Sequence, residues 1–132
     1  MEITTSQETG RVPVTVLHIR GDIDSSNYQL LDERAEAVIE GGAQYLLVDL
    51  TGVRYMSSAA LRSLNQIFHR LRARSKDTSD EVMYQGINAG TYKSPYLKLL
   101  KPSKTVLEVL KVTGFDMFLE MHDDLKSALA SF

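Results

Sequence analysis

A chain of 132 residues with 43% apolar and 24% charged side chains is sized for one soluble domain around one core. Its formal net charge of −2 argues against a strongly basic nucleic-acid binder, and the lack of cysteine removes disulfides and thiolate chemistry. No apolar run approaches the roughly 18–20 residues that span a bilayer, and Met1-Glu2-Ile3-Thr4-Thr5 lacks the basic and apolar regions of a secretion signal, so a cytoplasmic protein is expected.

Residues 2–8 have weak, Thr-rich strand character, and Gly10-Arg11 makes a turn. Residues 12–19 read as a better strand, with Val14, Val16 and His18 on one face and Thr15, Leu17 and Ile19 on the other; apolar side chains on both faces mark an interior strand. The two are expected to form a hairpin. After the loop Gly21-Asp22-Ile23-Asp24, Ser26-Asn27-Tyr28-Gln29 matches a capping box, a Ser cap with Gln three residues on. The helix that follows runs to about Glu40, burying Tyr28, Leu31, Ala35, Val38 and Ile39, and Gly41-Gly42 ends it.

Residues 44–50 make the central strand, stopped at Asp49-Leu50-Thr51-Gly52. From Leu61 the apolar spacing changes: Leu61, Leu64, Phe68 and Leu71, with Ile67 beside them, form one face of a helix running from Ser57 to about Arg74. Residues 75–95 mix charge, Ser, Thr and Gly and are read as a flexible insertion, either functional or disordered, although Val82, Met83, Tyr84, Ile87, Tyr92 and Tyr96 are more than a solvated linker needs. Residues 96–100 return to strand character. Ser103 caps a short helix with Val106, Leu107, Val109 and Leu110 inside, Thr113-Gly114 closes it, residues 115–121 supply the last strand, and Asp123 or Asp124 starts a final helix.

This order predicts an α/β single domain over residues 1–132: a mixed, mostly parallel sheet of about five strands with about four helices. In open sheets of this kind sites gather beyond the carboxyl ends of the strands. Three segments should meet there: residues 22–25, 51–58 and 102–103. Ser57 and Ser58 sit where a helix cap belongs, next to unpaired backbone N–H groups.

Three pieces of sequence then carry a resemblance. Gly21-Asp22-Ile23-Asp24 is similar to a Gly-Glu-Leu-Asp segment. Leu47-Val48-Asp49-Leu50 with Val53 through Leu61 is similar to a strand, an aromatic-Met pair and Asp-Ser-Ser-Gly-Leu. Val112-Thr113-Gly114-Phe115 is similar to a small-residue-Gly-aromatic turn. In this order they resemble the anti-sigma-factor antagonists, the STAS fold shared with the cytoplasmic ends of sulfate transporters. The resemblance spans nearly the whole chain except residues 75–95.

The resemblance implies a non-enzymatic regulator that binds an anti-sigma factor which is itself a serine kinase, releases the sigma factor, and is switched by phosphorylation of a serine. A gapless match puts the acceptor at Ser58, with Ser57 the alternative, and carries Asp24 over as the nearby acidic position. The partner-binding surface is then expected from Asp22, Asp24, Ser57, Ser58, Ala59 and Arg62. Ser57 stands where the family has Asp, Ala59 where it has the second Ser, and Ala60 where it has Gly. Those departures feed a second reading, a self-assembling scaffold without a phosphoswitch; a small-ligand or nucleotide sensor is a third. No cofactor or metal is expected: His18, His69 and His122 have no metal spacing, no Gly-rich phosphate loop follows a strand, and nothing resembling a nucleophile elbow surrounds Ser58. Arg62, Arg70, Arg72 and Arg74 make the second helix basic, a solvated face or a dock for an acidic partner.

Overall fold

The computed structural model describes residues 1–75 and 78–132. Its elements follow the order β1 (Glu2–Thr9), β2 (Pro13–Arg20), α1 (Tyr28–Glu40), β3 (Leu46–Gly52), α2 (Ser58–Ser75), α3 (Asp80–Ala89), β4 (Leu97–Leu100), α4 (Lys104–Val112), β5 (Met121–His122) and α5 (Leu125–Ser131). The strands lie side by side in the order β1-β2-β3-β4-β5; β1 and β2 are the expected antiparallel hairpin, and β2 through β5 run parallel.

Strand alternation divides the core between two faces. Leu17, Ile19, Leu46, Val48, Leu50, Leu97 and Leu99 face the helices α1 to α4, meeting Leu31, Ala35 and Ile39 of α1 and Leu64, Ile67, Phe68 and Leu71 of α2. Val14, Val16, Leu47 and Leu100 face the other way, where α5 contributes Ala128 and the half-buried Leu125, Leu129 and Phe132. β2 is thus covered on both sides at its start, which is why its sequence is apolar without a clean alternation. Each fully buried Leu, Ile or Phe in these layers contributes about 1.5–3 kcal/mol relative to exposure.

Three expectations need correction. The capping box at Ser26 does not form: Asn27 is the N-cap of α1 and makes no side-chain cap bond, while the Ser26 hydroxyl turns back to Asp24 Oδ1 at 2.5 Å. A short Asp two residues earlier out-competes the helix end for the Ser hydroxyl. Within residues 75–95, of which 76–77 lie outside the described residues, Asp80–Ala89 is a helix and not a loop, so the described residues form five α-helices. Ser79 caps it, its hydroxyl accepting from Val82 N at 3.2 Å, and Met83 is fully buried in the main core. Arg72, only 6% exposed, holds the start of α3 by donating to Asp80 Oδ1 and Thr78 O, both at 2.9 Å. Lastly, residues 115–121 are not one strand. Gly114, at φ 83°, leads into a 3-10 turn over Phe115–Met117, and only Met121–His122 pairs with β4. Phe115, Phe118 and Leu119 recur at helical spacing, and the Phe118 ring lies 4.8 Å from that of Phe68.

Candidate functional site

The loop after β2 and the loop after β3 are laced together at the carboxyl end of the sheet. Gly21 N–H donates to Gly52 O at 3.0 Å, Ile23 N–H to Tyr55 O at 3.0 Å, and Ser57 N–H to Ile23 O at 2.9 Å. Ile23 and Met56 therefore pair as an isolated parallel bridge, and both side chains are buried with Val53. Ile23 is an apolar peg between Asp22 and Asp24: it sinks into the core, so the two aspartates on either side stay at the surface. The peptide units on both sides of Met56 are fixed by this lacing, so the chain enters Ser57 already anchored before the helix starts.

Asp24 is organised locally. Its Oδ1 accepts from Ser26 N at 2.8 Å and from the Ser26 hydroxyl, its own N–H donates to Asn27 Oδ1 at 2.9 Å, and its carbonyl accepts from Asn27 and Tyr28. The Ser26 hydroxyl and then the Ser26 N–H hold the Asp24 carboxyl below the usual carboxylate range, so it stays ionised at neutral pH. Asp22 has one carboxylate oxygen buried without a hydrogen bond and facing Arg54 Nε at 4.0 Å, with Arg54 itself largely exposed. Asn27 ties the loop to the helix by donating from Nδ2 to Asp22 O at 2.9 Å.

Ser57 and Ser58 have different roles. Ser57 precedes α2, is half-buried, and its hydroxyl accepts from Ala60 N at a long 3.4 Å, while its carbonyl takes the Leu61 N–H. Ser58 is the first helical residue and is exposed. No acidic residue occupies the first turn of α2, so its N–H groups have no carboxylate of their own. Ala59 and Ala60 are 4% and 0% exposed, and Ala60 sits in the main core. The Ala60 methyl therefore points inward and does not thicken the surface, and the Ala59 methyl is closed off too. Arg62 is exposed one turn on, beside a shallow groove of about 360 Å³ lined by Leu61, Arg62, Asn65, Thr113, Phe115 and Phe118. Pro102-Ser103, the third segment, follows β4 at the same end of the sheet, with the Ser103 hydroxyl committed to capping α4.

The basic face of α2 does not act as one surface. Arg72 is buried, Arg70 pairs with Glu36 of α1 at 3.2 Å, and Arg62 and Arg74 remain exposed. No group of three or more potential metal ligands occurs among the described residues, and none of their helices is long and apolar enough to cross a membrane. Ile23, Met56 and Asn27 were not singled out from sequence, yet they build the surface; the apolar residue between two aspartates after a strand was the available signal for Ile23.

Strand order, laced loops and an exposed helix start together define the class. A family model for the STAS domain matches residues 4–78, more than half of the chain. The chain belongs to the STAS domain family. Its fold is shared with an anti-sigma factor antagonist from Mycobacterium paratuberculosis (19% identity, 98% of this chain and 93% of that one, TM-score 0.68). A STAS domain protein from Planctomyces limnophilus is similarly close (20%, 96% and 94%, TM-score 0.68). So is the Bacillus cell fate determinant SpoIIAA in its phosphorylated form (15%, 96% and 96%, TM-score 0.61). No curated protein sequence is significantly similar to the chain.

Proposed function

We propose that this STAS domain is a non-enzymatic, cytoplasmic antagonist of an anti-sigma factor that is a serine kinase, and that Ser58 is its phosphoacceptor. The observation that carries the reading is the exposure of Ser58 at the first residue of α2 while its neighbours Ser57, Ala59 and Ala60 serve the cap and the core. Ser58 Oγ would take the terminal phosphoryl group of ATP bound to the partner, with ADP as the leaving group. A phosphate adds about −1.5 to −2 charges. The helix end, equivalent to about +0.5 charge, tolerates it, so the modified chain stays folded and only its surface changes. The ionised Asp24, one peptide from Ile23 and hence beside Ser57, adds like charge to that surface. The unmodified form would present Asp22, Asp24, Ser58 and Arg62, with the Phe115 groove alongside, to the kinase.

Mass spectrometry of the protein recovered from its native cells, with binding of the cognate anti-sigma factor measured for wild type, Ser58→Ala and Ser58→Asp, tests this. A single phosphate on Ser58, retained binding for Ser58→Ala and at least tenfold weaker binding for Ser58→Asp are expected. A chain that never carries phosphate with its kinase present overturns the switch. The loss of a carboxylate at Ser57 and of the second hydroxyl at Ala59 favours, as the second reading, a scaffold STAS domain that self-assembles; a large stable assembly indifferent to Ser58→Asp would support it.

A further inference from the structure

The face of the sheet that carries α5 holds a second serine with unusual company. Ser6 on β1, His18 on β2 and Asp49 on β3 lie on three adjacent strands and on one side of the sheet, as the register and the two-residue alternation require. Ser6 Oγ is 2.8 Å from His18 Nε2, and His18 Nδ1 is 2.7 Å from Asp49 Oδ2. The other oxygen, Asp49 Oδ1, is taken by the N–H of Thr51 at 3.0 Å and its hydroxyl at 2.5 Å, so the carboxylate cannot swing away from the ring. Partial burial would raise the Asp49 carboxyl, but the Thr51 hydroxyl and N–H and the His18 ring outweigh it and hold it below the usual range. With the ring proton on Nδ1, facing the carboxylate, Nε2 is the acceptor and Ser6 O–H the donor. This is the arrangement of a hydroxyl, a base and an orienting acid in their catalytic order. The His18 and Asp49 side chains are 34% and 17% exposed, beyond the apolar patch that α5 covers, so the group is reached from solvent.

We propose that Ser6 is an activated nucleophile and a covalent modification site for small activated acyl donors, such as aryl esters and acyl phosphates. Ser6 Oγ bonds to the acyl carbon, the bond from that carbon to its leaving oxygen breaks, and His18 Nε2 takes the hydroxyl proton and passes it to the leaving group. Asp49 is a positioning residue that holds the ring tautomer. The site is a flat sheet face, which suits one acyl group accepted per chain rather than turnover of an amide.

p-Nitrophenyl acetate is the probe, with acetylated residues mapped by mass spectrometry over a time course in the intact chain. Ser6 is expected to be acetylated at least tenfold faster than the exposed serines Ser25 and Ser58 of the same molecule. General-base assistance is worth about 10²–10⁴-fold, so His18→Gln should bring Ser6 down to the rate of those reference serines. Asp49→Asn should slow it by tenfold or more with the Ser58 rate unchanged. Acetylation of wild-type Ser6 no faster than Ser58 overturns the proposal, as does a fast Ser6 rate that His18→Gln leaves intact. The wild-type ranking decides the matter even if a variant fails to fold.

Discussion

Ser57 and Ser58 are adjacent, yet replacing them should move stability in opposite directions. Ser57→Ala removes a side-chain cap from α2; caps contribute about 0.5–2 kcal/mol, and the long 3.4 Å contact to Ala60 N puts this one at the lower end, about 0.5–1 kcal/mol. Ser58→Asp removes nothing packed, because the side chain is exposed, and adds a carboxylate to a first turn that has none. That is worth about 0.3–1 kcal/mol in favour of the fold at low ionic strength. At about 3–5 °C per kcal/mol for a chain of this size, Ser57→Ala should melt about 2–5 °C below wild type and Ser58→Asp about 1–5 °C above it. Thermal melting followed by circular dichroism reads both. Repeating it near 1 M salt, where the Debye length is about 3 Å, should erase most of the Ser58→Asp gain and leave the Ser57→Ala loss. A Ser58→Asp chain destabilised by more than about 1 kcal/mol would refute the placement of Ser58 at an open helix start, and with it the idea that a phosphate there is tolerated.

Two further perturbations address the helix in the insertion and the acid response. Met83→Ala should cost about 2–5 kcal/mol, because the side chain is fully buried in the main core, and Gly86→Ala should destabilise despite better helix propensity, since the new Cβ would meet Tyr92 Cβ at 2.8 Å; chemical denaturation measures both, and wild-type stability for either would mean that α3 is not docked. Asp24, Asp49 and Asp124 all have carboxyls held below their ordinary value of 3.8, so the stability they contribute is complete above that value and lost as pH falls through their lowered ones. Melting should therefore decline below about pH 4, and Asp49→Asn should flatten the decline; an unchanged slope in that variant would contradict the Asp49 hydrogen-bond set.

The reach of the sequence follows from the range of the forces involved. Short apolar runs and the three- and four-residue spacing of Leu61, Leu64, Phe68 and Leu71 are local signals, and they located β2, β3, β4, α1, α2 and α4 closely. The family resemblance pointed to the loops that lie at the candidate site. Polar composition misled at Asp80–Ala89, where one buried methionine and the Arg72–Asp80 contact outweigh an exposed, glycine-containing surface. At residues 115–121 a strand was expected, but packing on Phe68 made a turn over most of the segment.

By itself, the sequence determined a small α/β domain with a hydroxyl-bearing start to its second helix, because hydrophobic periodicity and capping chemistry act over a few residues. Only the tertiary structure decided which residues share a surface. Ile23 meets Met56 because β2 and β3 pair in parallel, and Ser6, His18 and Asp49 come within hydrogen-bond reach because three strands adopt one register. Register is set by the burial of both sheet faces together, a long-range condition that no window of sequence contains.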